Sequence, residues 1–378
     1  MKVKTALVGI NGYAQSHLNQ LKQLVESGQI EFPAAVVLPR ERTPENMAYF
    51  ESIGCEVFDS LDEMFGRCAR KPELVCLPTG ISSHEPLTKC CLEHGANVLV
   101  EIPAAGSLEA VDRMRRAEAE SGCFVAVGFQ HIYSREFRKI KKELVSGRLG
   151  ALKSIAVMGI WPRADAYYSR NNWTGRIRTV SGEQVLDSPA NNAFAHYLNL
   201  PLFFAGETFE CSAHPVTVEG QLYRARKSIE YFDTCGIQLK TVRGVAICAY
   251  FSHASNKTHN PVIRILCENG SARIDFNTGK WGMYDGAGVV LEEGEISMPH
   301  PDMFRDVLAK VSDRSVFTCT LDIAREHTFC IEELHKRSAV QDVPEHLLSV
   351  EAENGQVVIR GLEHAFNECF ETGGKLVF

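Results

Sequence analysis

Lys4-Thr5-Ala6-Leu7-Val8-Gly9-Ile10-Asn11-Gly12-Tyr13-Ala14 decides the fold. A short apolar strand, Lys4–Val8, runs into a turn rich in glycine. Leu18, Leu21, Leu24 and Val25 then recur at helical spacing. Glycine lets a chain turn tightly, and backbone N–H groups at a helix N-terminus face an anion. Strand, glycine turn and helix in that order therefore predict a pyrophosphate site, and with it a dinucleotide. Gly9 and Ala14 fit the usual G-x-G-x-x-G/A spacing; Asn11 replaces the middle glycine and Gly12 is an extra one. Asparagine tolerates left-handed backbone angles better than most residues. Gly9, Asn11, Gly12, Tyr13 and Ala14 are the expected cofactor contacts, the alternative being an ordinary strand–helix turn.

Outward from this turn, strand-like runs at Ala34–Leu38, Glu56–Phe58, Leu74–Leu77, Val98–Val100 and Phe124–Val127 alternate with helical patterns. One helix is expected over Leu108–Ala119, with Ser107 as its N-cap. Such alternation predicts a doubly wound parallel sheet, a Rossmann domain over residues 1–126. After a further helix, Ser134–Val145, strands follow without intervening helices: Lys153–Val157, Ile237–Thr241, Val245–Phe251, Val262–Cys267 and Ala272–Phe276. Asn269-Gly270 is a two-residue hairpin signal. Residues 127–378 are thus expected to form an α+β domain with a large, predominantly antiparallel open sheet, closed by a helix Leu321–Arg337 and a strand Gln356–Arg360.

Composition excludes several classes. The 378 residues are 45% hydrophobic and 23% charged, ordinary globular values that suit two domains. The net charge of −7 argues against nucleic acid or an anionic membrane as partner. No apolar run approaches the ~20 residues that span a bilayer. The thirteen cysteines are scattered, without CxxC or zinc-ligand spacing. They read as buried packing residues in a reducing cytoplasm, and no metal site is expected.

The end of the second strand normally carries an acid for the adenosine ribose. Here it reads Val37-Leu38-Pro39-Arg40-Glu41-Arg42. The missing acid and the arginines, Arg40 above all, favour NADP over NAD, although two solvated surface arginines would read the same.

Several segments resemble the glucose-fructose oxidoreductase / inositol dehydrogenase / MocA (Gfo/Idh/MocA) family, in order and spacing over nearly the whole chain. Val75-Cys76-Leu77-Pro78-Thr79-Gly80 with His84 resembles its strand-four segment, and Val98-Leu99-Val100-Glu101-Ile102-Pro103 its V-x-x-E-K-P. Val127-Gly128-Phe129-Gln130 is similar to the strand entering the second domain, and Ser146-Gly147-Arg148-Leu149-Gly150 to its linker. The resemblance implies that Leu77, Thr79, His84 and Glu101 border the cofactor and that Gln130 meets the substrate. It also implies that the second sheet forms a homodimer or homotetramer interface. The family's E-K-P lysine, which assists proton transfer, is Ile102 here.

The segment Asp187-Ser188-Pro189-Ala190-Asn191-Asn192-Ala193-Phe194-Ala195-His196-Tyr197-Leu198-Asn199 resembles the family's catalytic helix. Counting back from Gly206 places His196 at the family histidine and Asn192 at the preceding acid or amide. Counting forward from Ser181-Gly182 places Asp187 at the acid and Asn191 at the histidine. The first count keeps an imidazole. Ser188 suits an N-cap and Pro189 the first helical position, and at about 100° per residue Asn192, His196 and Asn199 share a face. Histidine's near-neutral pKa suits abstraction of a hydroxyl proton; the alternative is a core histidine with amide neighbours. His196, Asn192 and Asp187 are the expected catalytic set. Just upstream, Trp161, Arg163, Tyr168 and Arg176 belong to an aromatic and basic stretch suited to stacking on sugar rings and bonding hydroxyls, or else a packed loop cluster.

The expectation is a cytoplasmic NAD(P)-dependent oxidoreductase acting on a sugar, cyclitol or related polyol. Two alternatives stay open: a non-redox NAD-using glycosidase or lyase, and a ligand-binding pseudoenzyme, which Ile102 favours.

Overall fold

The computed structural model describes residues 2–378, which form two compact units. The first comprises residues up to Tyr133 together with Pro299–Leu321; the second comprises Ser134–Met298 and Asp322–Phe378.

In the first unit, β1 (Val3–Val8), β2 (Ile30–Val36), β3 (Glu56–Phe58), β4 (Leu74–Leu77), β5 (Asn97–Val100) and β6 (Val125–Val127) form one sheet in the order β3-β2-β1-β4-β5-β6. Every pairing is parallel. Helices α1 (Ala14–Glu26), α2 (Pro44–Ser52), α3 (Leu61–Arg67), α4 (His84–Glu93) and α5 (Leu108–Ser121) make the crossovers. The strands are buried on both faces, as a helix-covered sheet requires. The order reverses between β1 and β4, which is where such sheets open a crevice at their strand ends. β2 begins at Ile30, four residues before the run read from sequence. Pro33 looks like a strand stop, but the register jumps from Lys4↔Glu31 to Ala6↔Ala34, and that bulge absorbs the missing N–H.

The second unit opens with α6 (Arg135–Ser146), followed by β7 (Leu152–Ile160), α7 (Asp165–Ser169) and α8 (Ala195–Ala205). Its sheet adds β8 (Pro215–Arg224), β9 (Thr234–Thr241), β10 (Ala246–Ser252), β11 (His259–Cys267), β12 (Gly270–Asp275), β13 (Lys280–Asp285), β14 (Val290–Glu295) and β15 (Val340–Asp342). The order is β14-β13-β12-β11-β7-β10-β9-β8-β15. Only β7 with β10 and β8 with β15 pair in parallel. The β11–β12 hairpin forms where expected, but its loop is Glu268-Asn269. Gly270 already belongs to β12, where a Cβ would stand 2.5 Å from the Tyr284 carbonyl oxygen.

The chain then returns to the first unit through α9 (Pro299–Ser312). The Phe304 ring lies 5.2 Å from that of His17, and the Val127 N–H donates to the Cys319 carbonyl at 2.8 Å. A single boundary near residue 127 does not describe this excursion, which two prolines at its start conceal in the sequence. α10 (Leu321–Arg337) and α11 (Leu362–Thr372) close the chain. α11 covers the centre of one face of the second sheet, where Phe366 and Phe370 pack with Met158 and Tyr250. Phe194, just before α8, covers the other face; Gly159 of β7 makes room, since a Cβ there would meet its ring at 2.7 Å. All thirteen cysteines are free thiols, most of them buried.

Candidate active site

Each unit gathers its own set of polar groups. In the first, Gly9 and Gly12 sit at the carboxyl end of β1 with φ of +81° and +61°. That is the left-handed region where glycine is unstrained. A Cβ on either would meet nothing within 4 Å, so open space lies before the turn. The Gly9 N–H donates to Val36, but those of Asn11, Gly12 and Tyr13 find no acceptor among the described residues. No side chain caps α1 either. Open backbone donors at a helix N-terminus next to empty space are what a pyrophosphate needs, so this turn fits a dinucleotide.

Behind the turn, His17 Nε2 lies 2.7 Å from Glu101 Oε1. The other oxygen of Glu101 accepts from the Ile102 N–H at 3.1 Å. Both side chains are buried, so Glu101 pins the first turns of α1 to the end of β5. His17 has no motif signal; its place one helical turn beyond the glycines was the only clue. Leu77 ends β4 in the core. Thr79 Oγ1 accepts from Ser83 Oγ at 2.8 Å. His84 is fully buried, with Nδ1 2.9 Å from the Pro103 carbonyl and Nε2 3.1 Å from that of Thr79. Burial pushes its pKa down, and the neutral ring donates its one N–H to one of these two carbonyls. Gln130 begins the turn Gln130–Tyr133 and is half-buried.

At the end of β2 the two arginines separate. Arg42 donates from Nε and Nη2 to the Val37 carbonyl, at 3.1 and 2.9 Å, and pairs with Asp59. It is a loop brace. Arg40 is exposed and has no ion pair among the described residues.

In the second unit the predicted catalytic segment is only partly helical. Ser188 does cap a first turn, accepting from the Asn191 N–H through both its carbonyl and Oγ. The chain then passes through further turns, and α8 starts at Ala195. Asn192 therefore lies outside the helix that carries His196, and the expected single helical face does not form. Asn191 is buried and donates to the carbonyls of Val185 and Leu186, at 2.9 and 3.2 Å. Leu186 holds φ +46°, an unusual angle for a branched residue, and Asn191 braces it. That contorted step aims Asp187 inward. Its carboxylate accepts from the Gly175 N–H at 2.6 Å and from Asn192 Nδ2 at 2.8 Å. Burial raises its pKa to about 6, against the lowering pull of Gly175, Asn192 and Arg170. Gly175 has φ +74°, and a Cβ would press on Ile229.

Around Asp187 stands an aromatic wall. Trp161 and Phe194 stack at 4.5 Å and Phe194 and Phe251 at 4.8 Å, while the His253 ring lies 5.7 Å from Phe194. Trp161 Nε1 donates to Asn260 at 3.0 Å. The Arg163 guanidinium lies 4.9 Å from the Tyr167 ring centre, and that of Arg226 lies 4.8 Å from Tyr168. Arg176 instead faces solvent and pairs with Glu230 at 3.4 Å. Two histidines absent from the sequence expectation belong here. His253 Nδ1 meets the Trp161 carbonyl at 2.8 Å, and burial with Arg163 pushes its pKa down to about 3. Buried His327, on α10, places Nε2 3.0 Å from the Ala190 carbonyl; burial lowers its pKa to about 4, and His196 adds to that shift. Each lies at the edge of an apolar run, with no spacing to mark it. A separate groove of about 400 Å³ along β8, lined by Gln221, Arg337 and Lys375 among others, holds no such set.

Residues 3–129 match the family model described as "Oxidoreductase family, NAD-binding Rossmann fold". A 4-carboxy-2-hydroxymuconate-6-semialdehyde dehydrogenase from Sphingobium sp. is 23% identical over 74% of this chain and 82% of its own length. An inositol 2-dehydrogenase from Rubrobacter xylanophilus is 28% identical over 40% of this chain and 42% of its own. Among solved structures, the WlbA dehydrogenase of Bordetella pertussis, in complex with NADH and UDP-GlcNAcA, has the same fold. Its TM-score is 0.70 at 19% identity, over 89% of this chain and 96% of that one. No helix among the described residues is long and apolar enough to cross a membrane. Residues 3–129 are thus an NAD-binding Rossmann domain of the Gfo/Idh/MocA oxidoreductase type.

Proposed function

We propose that the chain is an NAD(P)-dependent dehydrogenase that oxidises a CH–OH group of a sugar, cyclitol or related polyol. The observation that carries this reading is Asp187, a buried carboxylate held by Gly175 and Asn192 just ahead of His196. In this reading the Gly9–Ala14 turn holds the pyrophosphate, and Arg40 is the cation available to a 2′-phosphate. Bound NAD(P) supplies a hydride acceptor. Asn192, fixed by Asp187, orients the substrate hydroxyl, and His196 takes its proton; Trp161 and Tyr168 offer ring faces to the sugar. The inositol dehydrogenase supports a CH–OH oxidation by its name. The free thiols fit a reducing cytoplasm.

The test is a cofactor-reduction screen of wild type and His196→Asn against polyols and sugars, with NAD and with NADP. Positioned proton transfer contributes ~10²–10⁴-fold, so turnover should fall by about that factor while dinucleotide affinity holds. Equal turnover in the variant overturns the assignment. Ile102, beside Glu101 where the family carries lysine, favours a second reading as a binding protein. Its mark is dinucleotide binding with no reduction of any substrate.

A further inference from the structure

Within the wall around Asp187, two guanidiniums stand without an acid. Arg163 and Arg170 lie 4.9 and 3.9 Å from the centre of the Tyr167 ring. Arg163 also reaches Trp161, and Arg170 reaches Trp173, at 5.9 and 5.8 Å. Neither forms an ion pair with any of the described residues. Arg163 donates to the Pro162 carbonyl at 3.2 Å, and Arg170 to Thr174 Oγ1 at 3.2 Å. Arg163 Nε has no acceptor among the described residues. Neighbouring arginines differ: Arg226 pairs with Asp165 and Arg224 with Asp342. Asp187 is the nearby carboxylate, but Gly175 and Asn192 take its oxygens, and Arg170 acts on it only at longer range.

The segment is built to hold this arrangement. The Asn171 side-chain oxygen accepts from the N–H groups of Trp173 and Thr174 and from Thr174 Oγ1, which fixes the loop that carries Arg170. The Arg163 N–H donates to the His253 carbonyl at 3.1 Å. Two like charges sharing one aromatic ring repel each other, and a planar guanidinium fork matches a carboxylate or phosphate. His253 is held neutral by burial and then by these cations, so it adds no further positive charge.

We propose that the substrate carries an anionic group, a carboxylate or a phosphate, beside its hydroxyls, and that Arg163 and Arg170 receive it. The inference rests on the polyol-dehydrogenase reading above and narrows its substrate class. The test follows tryptophan emission, reported by Trp161 and Trp173, as the full chain is titrated with D-glucose, D-glucuronate and D-glucose 6-phosphate. At least one anionic sugar should bind tenfold or more tighter than glucose, about 1.4 kcal/mol. The R163Q/R170Q double variant should lose that margin, and R163K/R170K should keep part of it. The better of the two anions identifies the group. Glucose binding as tightly as both anions, no saturable response to any of the three, or a margin that survives in R163Q/R170Q overturns the proposal. NADH emission, measured separately on wild type and R163Q/R170Q, should saturate equally. Its failure in wild type would sink the dinucleotide reading; its success without an anion preference sinks this inference alone.

Discussion

Asp187 is placed so that its own charge is costly. Its pKa, raised from 3.8 to about 6, means that folding favours the protonated form. Below pH 3.8 the group is protonated in both states and carries no penalty. Between pH 3.8 and about 6 the unfolded carboxylate ionises while the folded one stays protonated, so stability falls by about 3 kcal/mol in all and levels off once the folded carboxylate ionises. Asp187→Asn should flatten that fall, read as the difference in urea midpoint between pH 4 and pH 7. The same ionisation lets Asp187 accept from Asn192 as an anion. Turnover should therefore rise with pH through about 6 in wild type, and the variant should lose that limb. An unchanged limb would assign it to another group. Asn191, which the forward count singled out, spends its amide on the Val185 and Leu186 carbonyls and braces the turn before Asp187.

Among the elements, α8 carries His196, and a buried cation closes its far end. Lys141 of α6 directs Nζ at the carbonyls of Phe203 and Gly206, 2.5 and 2.7 Å away, with that of Cys211 at 3.4 Å. A positive charge at a helix C-terminus opposes the dipole and satisfies orphan acceptors. Burial lowers the Lys141 pKa to about 8, so the ammonium stays mostly charged at neutral pH. Lys141→Met should leave the carbonyls unsatisfied and cost about 3 kcal/mol, read in urea unfolding. If stability holds, the lysine is incidental. None of this was legible in the sequence, where Lys141 is one more polar residue on an amphipathic helix. Legibility followed periodicity. The four-residue run Leu74–Leu77 and the helix Leu321–Arg337 fall where their apolar spacing put them. α8 did not, because Ser188-Pro189 signals a helix start that the chain takes up for one turn and then abandons. The Gly9–Ala14 turn was readable because its chemistry is local. The aromatic stretch was legible as pocket wall for a sugar, but His253, which meets the Trp161 carbonyl from a distant segment, was not.

At the scale of the whole molecule, the last residues decide what the second sheet can do. α11 and the residues after it lie across β7, β9 and β10. Tyr250 Oη donates to the Gly374 carbonyl at 2.7 Å and Tyr223 Oη to that of Leu376 at 3.0 Å. Arg264 reaches the Phe370 carbonyl at 2.7 Å. Leu362, Phe366, Phe370 and Leu376 are all buried against the sheet. At ~1.5–3 kcal/mol for each buried side chain, these four supply about 8 kcal/mol, comparable to the net stability of a domain. A chain ending at Arg360 should expose Met158, Tyr250 and Val262 together, a contiguous apolar patch of the kind that drives self-association. Sedimentation should show it more associated than the full chain. The milder Phe370→Ala should keep the fold and lose about 3–5 kcal/mol. Unchanged sedimentation of the shortened chain, together with unchanged stability of Phe370→Ala, would mean that α11 does not cover this face in solution. With α11 in place, the centre of this face is covered and is not free to serve as an interface.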